Sequence, residues 1–392
     1  MKKICFITTV SITMKSFVVE TAKYLHEKLG YDVTLICNPD AEFETSLPEY
    51  LHFIPVEMAR GVSLSGFKAI GVFRKIFKEQ KFDMVQYSTP NASCYASIAA
   101  KAEKVPIRLY CQWGIRYVGL SGMSRAVFKF LEKTVCRNST HIRAVSRLNK
   151  EFAVAEGLYK EEKAVVAGNG GTIGVDTDVY DIEKKSEWRD EIRKKYALSE
   201  GDFVYGFAGR ISRDKGCAEL LLAFLNISES NRDAKLFIVG PYEENCGVDS
   251  ELIARAKSCD KVTFTGGVDN AEMKKYYSAM DVLVHPTYRE GFGMVIQEAG
   301  ALAVPTITTK IPGASEVMED GESCILVDAK SVSSLEEAMM KLINSGELVL
   351  SLGKAALDRT KTRYEDPLCL SIRKLTTKNL LTEKNNEHYS FR

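Results

Sequence analysis

Two carboxylates in this chain stand where an anionic ligand carrying hydroxyl groups would need them. Glu290 and Glu298 lie in the stretch Met280 to Ile307, MDVLVHPTYREGFGMVIQEAGALAVPTI. Val282 to Val284 form a β-branched and aliphatic run of the kind parallel strands bury on both faces, and Pro286 ends it. Gly291 and Gly293 bracket Phe292 just ahead of a helical pattern through Met294, Val295, Ile296, Ala299 and Leu302. Unpaired backbone N–H groups at such a helix start can meet a phosphate. The glutamates are eight residues apart, about 80° away from a whole number of turns at ~3.6 residues per turn, so they are not a same-face pair. Glu290 is expected before the helix and Glu298 inside it. Carboxylates so placed flank a phosphate and accept bonds from hydroxyls on either side, as the sugar, diphosphate and ribose of a sugar nucleotide require.

A second cluster follows the apolar run Phe203 to Ala208. In GRISRDKG, Gly209, Arg210 and Lys215 fall at the carboxyl edge of a parallel strand, where open α/β sheets bind ligands. Arg210 can grip phosphate oxygens with two N–H groups, and Lys215 acts as a point charge at the next helix start. Together they can neutralise a leaving diphosphate without a metal. Val239-Gly240-Pro241 and Phe264-Thr265-Gly266-Gly267 close strands at the same edge. Gly240 reads equally well as a tight turn or a ligand contact, whereas Gly266 to Val268 is expected to meet a nucleobase through main-chain groups.

A different chemistry is suggested by Arg125, Lys129, Lys133 and Arg137, whose spacing of four aligns them along one helical face. Ala126, Val127, Phe130, Leu131 and Val135 are expected to make the other. Residues 101–150 hold eleven Lys and Arg against two Glu, a local excess of nine positive charges in a chain whose net charge is +1. Such a basic amphipathic helix can lie on anionic lipid or bind a lipid diphosphate. Nothing points to nucleic acid. Asp176-Thr177-Asp178 resembles a metal-binding D-x-D motif, but it follows a glycine linker and not an apolar strand. The five histidines His26, His52, His141, His285 and His388 show no metal-ligand spacing. His285, at the edge of the glutamate stretch, is either a strand-end residue or a hydrogen-bonding partner. Ten cysteines without a C-x-x-C spacing read as buried free thiols in a reducing compartment. The amino terminus has a short apolar segment interrupted by Lys15 and is read as the first strand, not as a signal peptide.

These residues need a frame that alternates strand and helix. Strands are expected at Ile4–Thr8, Asp32–Cys37, Leu51–Ile54, Met84–Gln86, Ile107–Cys111 and Ile142–Val145. The helices between them include Ser16–Leu29 and Arg125–Cys136. AGNGGTIGV, Ala167 to Val175, is the most glycine-rich stretch and a natural linker. A second alternation runs from Phe203 to Val327. The fold class predicted is α/β, two Rossmann-like doubly wound domains facing a cleft. The tail from Pro367 to Leu381 is again helical.

EGFGMVIQE, GRISRDKG, the FTG turn and PTITTKIPGASEVMEDG together resemble the family 4 glycosyltransferases, retaining enzymes of the GT-B fold, over nearly the whole chain. TTVSITMKSF, YCQWGIRYVGLSGMSR, AVSRLNKEF and GNGGTIGVD look like the branch that extends polyprenyl-diphosphate-linked sugars in bacterial capsule, O-antigen or protein glycosylation. The resemblance implies an acceptor-binding domain over 1–172, a nucleotide-sugar-binding domain over 173–366, and a terminal helix of about 367–392 packing back on the first. It implies that Glu290 contacts the donor sugar's hydroxyls, Glu298 the ribose, the backbone of Gly291, Phe292, Gly293, Met294 and Val295 the phosphates, and Arg210 with Lys215 the diphosphate. No cofactor or metal is implied. Front-face substitution, in which the leaving phosphate helps deprotonate the acceptor, needs no protein nucleophile.

Two positions depart from the family pattern. Trp113 stands where many relatives have His, and Val10, Ser11, Ile12 and Thr13 replace a glycine pair in the amino-terminal loop. An altered acceptor mode is expected, with Lys15 and Arg116 on a lipid diphosphate and Trp113, Arg125 and Lys129 beside it. The expected function is transfer of a hexose or acetamidohexose from a UDP-sugar to a polyprenyl-diphosphate saccharide, at the cytoplasmic face of the membrane. The alternatives are a soluble acceptor, a UDP-sugar 2-epimerase of the same fold, and a sugar-nucleotide-binding scaffold without chemistry.

Overall fold

The computed structural model describes residues 1–58, 65–243 and 246–365. The helix expected over about 367–392, and His388 within it, lie outside the described residues. The chain forms two units, the first ending at Ile173 and the second beginning at Gly174.

In the first unit seven parallel strands, β1 (Lys3–Ile7), β2 (Asp32–Cys37), β3 (Leu51–Pro55), β4 (Met84–Tyr87), β5 (Ile107–Gln112), β6 (His141–Ala144) and β7 (Ala164–Val166), lie in the order β3-β2-β1-β4-β5-β6-β7. In the second, six parallel strands, β8 (Phe203–Ala208), β9 (Ala234–Val239), β10 (Val262–Gly266), β11 (Val282–His285), β12 (Thr306–Thr309) and β13 (Cys324–Val327), take the order β10-β9-β8-β11-β12-β13. The order reverses between β1 and β4, and again between β8 and β11. At such a switch point the connections leave in opposite directions and open a crevice at the carboxyl ends of the strands. Each sheet is buried on both faces, which is why the strands read as near-continuous apolar runs.

The helices depart from expectation in three places. Ser16–Leu29 is not one helix: Ser11–Phe17 and Val19–Leu29 are separate, with Val18 at φ −128°, ψ −41° between them. Val10 to Thr13, expected as a loop, therefore runs into a helix start, and no glycine pair is needed there. Third, the helix Lys185–Lys195 was not anticipated, because KSEWRDEIRKK is too charged to show an apolar stripe.

That helix is fastened by ions. Asp281, at the entry to β11, accepts from Arg189 Nη2 at 2.6 Å through Oδ1, and from Arg193 Nη2 at 2.8 Å and the Val204 N–H at 2.7 Å through Oδ2. One carboxylate thus joins the helix to β8 and β11, the two strands of the switch point. Removing one partner of a half-buried pair leaves the other charge uncompensated. Asp281→Ala should lower the unfolding free energy by about 3 kcal/mol, measured by urea unfolding; a change too small to resolve would show that the arginines are adequately solvated without it.

Candidate functional site

The turns after β8 and β11 meet at the second unit's switch point because Gly216 lets them. Its φ is +71°, and a Cβ there would lie 2.0 Å from the Pro286 carbonyl oxygen. Any side chain would push the GRISRDKG turn off the end of β11. With glycine in place, the Tyr288 N–H donates to the Asp214 carbonyl at 2.9 Å, and Arg289 Nη2 pairs with Asp214 Oδ2 at 2.9 Å. The approach carries Lys215 onto Glu290, with Nζ 2.7 Å from Oε2.

Glu290 is held from three sides. Besides Lys215, His285 places Nε2 at 3.0 Å from the same Oε2, and the Gly291 N–H donates to Oε1 at 3.0 Å. His285 is 1% exposed at the end of β11, so it is a hydrogen-bonding partner as well as a strand-end residue. Burial and the nearby Lys215 charge push the imidazole below its ordinary range, against the opposing pull of Glu290. Burial alone would raise Glu290. The His285 bond and the Lys215 charge outweigh it and hold the carboxyl well below the usual carboxylate range. Glu290 is therefore an ionised acceptor fixed in one orientation, suited to receiving hydroxyl protons.

The helix Met294–Ala301 begins at Gly293, and the N–H groups of Gly293, Met294 and Val295 find no acceptor among the described residues. The expected phosphate contact from Gly291 needs correction, since its N–H is already directed at Glu290. Phe292 offers only its main chain, because its ring is buried edge-on against Tyr364 with centroids 5.6 Å apart. Glu298 lies within the helix, as expected, and accepts from the Tyr277 hydroxyl at 2.7 Å. Burial raises its pKa, while Tyr277 and the adjacent Tyr180 act against that rise. Both tyrosines escaped sequence reasoning, because nothing in their spacing marks them as partners of a distant glutamate.

Arg210 is exposed and has no side-chain partner among the described residues, so it does not share Lys215's ion pair. Gly209 follows β8, and its N–H donates to the Val239 carbonyl at 2.9 Å. The Gly240 N–H donates to the Gly266 carbonyl at 3.0 Å, which favours the tight-turn reading of Gly240. Val268 packs half-buried against the core beneath that turn. Asp176 is spent on its own turn, accepting from the Asp178 and Val179 N–H groups at 2.9 and 3.2 Å. Among the described residues no group of three or more His, Cys, Asp and Glu could hold a metal ion.

The first unit's switch point carries a feature the sequence did not reveal. After β1 and β4, Thr9 and Thr89 join hydroxyls at 2.7 Å, and Thr89 Oγ1 also accepts the Thr9 N–H at 3.1 Å. Thr89 has φ +67°, a conformation that costs a β-branched residue about 1–3 kcal/mol and clusters at functional sites. Lys15 and Arg116 are exposed near this edge, and Trp113 packs on Phe17 with ring centroids 5.2 Å apart. Arg125 and Lys129, expected at the acceptor, are turned to Glu156, at 3.5 and 2.8 Å.

The helix Gly122–Asn138 also needs a correction. Val127 and Phe130, expected on the packed face, point outward: Phe130 is 68% and the neighbouring Met123 80% exposed. Leu131 and Val135 pack inward as expected, and Phe128, Glu132 and Cys136 complete that face.

The close approach at Gly216 gives a direct test of the turn's role. Gly216→Val should separate Lys215 from Glu290 and weaken nucleoside diphosphate binding by about tenfold, the loss of one charge-assisted contact. Titration calorimetry measures it; an unchanged affinity would remove Lys215 from the diphosphate site.

Comparison with known proteins shows the family. The pattern describing "Glycosyl transferases group 1" matches residues 188–359, and that for "Glycosyl transferase 4-like" matches residues 3–146. The capsular polysaccharide biosynthesis glycosyltransferase CapM of Staphylococcus aureus is 30% identical over 344 residues, 87% of this chain and 88% of that one. A GDP-mannose-dependent α-(1-6)-phosphatidylinositol monomannoside mannosyltransferase of Mycobacterium tuberculosis is 32% identical over 198 residues, 46% of this chain and 48% of that one. In structure, Anabaena Alr3699/HepE in complex with UDP superposes with a TM-score of 0.75 at 18% identity, covering 97% of this chain and 99% of that one. The chain belongs to the group 1, family 4-like glycosyltransferases of the GT-B fold and is a transferase enzyme.

Proposed function

We propose that this glycosyltransferase moves a hexose or an N-acetylhexosamine from a UDP-sugar to a polyprenyl-diphosphate-linked saccharide, with retention at the anomeric carbon, in cell-surface polysaccharide assembly. The observation that carries the reading is Glu290, ionised and fixed by Lys215 and His285 beside the open amides of Gly293 to Val295. Glu290 accepts bonds from the sugar's hydroxyls, and Glu298 from the ribose. The amides, Lys215 and Arg210 receive the diphosphate. The acceptor hydroxyl oxygen bonds to the anomeric carbon as the bond from that carbon to the phosphate oxygen breaks. The electron pair leaves with UDP, and the hydroxyl proton passes to the departing phosphate. Charge growing on the phosphate is met by cations already in place, so the reaction is proposed to be independent of metal.

The choice of UDP and of a lipid-linked acceptor is supported by neighbours. HepE is described in complex with UDP, CapM by its role in capsular polysaccharide biosynthesis, and the mycobacterial relative by a phosphatidylinositol acceptor. On the first unit, Thr9, Thr89, Lys15, Trp113 and Arg116 are assigned to the acceptor.

No helix among the described residues is long and apolar enough to cross a membrane. Contact with the inner face of the cell membrane is instead assigned to the exposed Met123, Val127 and Phe130, bordered by exposed Lys133 and Arg137. Such a strip inserts apolar side chains while its cations meet anionic headgroups.

Two experiments test the reading. Incubated with labelled UDP-sugars and a polyprenyl-diphosphate saccharide, the protein should yield an elongated lipid whose new linkage keeps the donor's anomeric configuration. Activity should survive EDTA; transfer only to water-soluble acceptors, or inversion, would overturn the assignment. Lys133→Gln and Arg137→Gln should each weaken binding to anionic vesicles by roughly fivefold, at ~1 kcal/mol per basic residue, as read by co-sedimentation, and equal binding by the unaltered protein to neutral vesicles would exclude the electrostatic part.

A further inference from the structure

The first unit contains an apolar cavity that no step above uses. It has a volume of about 150 Å³ and lies between the helices Ser65–Gln80, Pro90–Ala102 and Gly122–Asn138, over β5. Its walls include Ile70, Ile98, Phe128, Leu131 and Val135. A space of this size with aliphatic and aromatic walls is large enough for a benzene-sized hydrocarbon. One five-carbon isoprene unit is of that size.

Two polar groups define what else the occupant must carry. Arg116, in the turn after β5, lines the cavity at the carboxyl edge of the sheet and lays its guanidinium 4.3 Å from the centre of the Phe128 ring. A cation stacked on an apolar wall favours an anionic head on a hydrocarbon body. Pro90 and Asn91, which open the helix Pro90–Ala102 just past the strained Thr89, line the same cavity. The second group is Glu132, 7% exposed. Its Oε1 accepts from the Tyr110 hydroxyl at 2.9 Å and from Gln112 Nε2 at 2.6 Å. Burial raises its pKa, and those two bonds act against the rise.

The packed face of the helix Gly122–Asn138 gives Phe128, Leu131 and Val135 to the cavity, while its outer face exposes Met123, Val127 and Phe130.

We propose that this cavity is a slot for the head-proximal isoprene unit of a phosphorylated isoprenoid, with Arg116 holding the first phosphate. The inference rests on the lipid-linked acceptor reading above and gives it a location. Recognition of the lipid is then separate from recognition of the sugar it carries.

The test is titration of the full-length protein with geranyl phosphate, geraniol and inorganic phosphate, each below micelle-forming concentration. Geranyl phosphate should bind at least about tenfold more tightly than either of the others, the effect expected of burying two or three carbons beside a paired charge. Ile98→Trp, which fills the slot, should abolish that advantage while leaving UDP affinity unchanged. If that variant melts at a lower temperature than the unaltered protein, Leu131→Phe serves in its place. Arg116→Gln should erase the preference for geranyl phosphate over geraniol. Equal binding of inorganic and geranyl phosphate, or a geranyl phosphate affinity indifferent to filling the cavity, overturns the slot. Sugar transfer to lipid-linked saccharide without geranyl phosphate binding would sink the slot alone. Tight binding with transfer only to soluble sugars would sink the functional reading alone.

Discussion

A carboxylate withdrawn from water must be paired and hydrogen-bonded, and the second unit is arranged around that requirement at Glu290. Burial pushes its pKa up, while the His285 imidazole and the Lys215 ammonium more than reverse the effect, and a backbone N–H completes its hydrogen bonding. Each partner comes from a different piece of chain: His285 from the end of β11, Lys215 from the turn after β8, and the N–H from the next residue. For all three to converge, β8 and β11 must be adjacent and their turns must touch. Gly216 permits the touch, and the Asp281 ion cluster at the opposite ends of the same strands fixes their neighbours.

The two units repeat one solution with different chemistry. Both sheets reverse their order once, and both place their most constrained residues at that reversal. In the second unit the constraint is electrostatic and suits an anionic donor. In the first it is conformational, with Thr89 held at positive φ by Thr9. Backbone strain and buried charge both need a surrounding structure that over-determines them. A switch point flanked by two buried strands provides it. The outward apolar strip on Gly122–Asn138 lies on the unit that carries the strained threonines, while the fixed charges belong to the other unit.

The α/β class and the strand positions other than β7 were legible because parallel strands buried on both faces leave unbroken apolar runs, whereas β7, Ala164–Val166, is a three-residue edge strand that was not anticipated. The glutamate pair and Lys215 were legible because their turns combine glycines with charge at strand ends. What stayed hidden depended on residues far apart in sequence. Tyr277 and Tyr180 against Glu298, and Thr9 against Thr89, have no periodic signature. The charged helix Lys185–Lys195 is held by salt bridges where an apolar stripe would have announced it. Assigning Val127 and Phe130 to the packed face failed because hydrophobicity alone was read as burial. The structure packs Leu131 and Val135 as expected, adds Phe128 to them, and leaves Val127 and Phe130 in the open.

The central claim is that Lys215 and Glu290 act as one unit in handling the donor. A double-mutant cycle on kcat/KM, with Lys215→Ala, Glu290→Ala and the double variant, tests it directly. Each single change is expected to lower kcat/KM by ~10²-fold or more, and the double variant to be little worse than either, because residues that act together lose their contribution together. Independent losses that multiply in the double variant would contradict the account and separate the ammonium from the carboxylate.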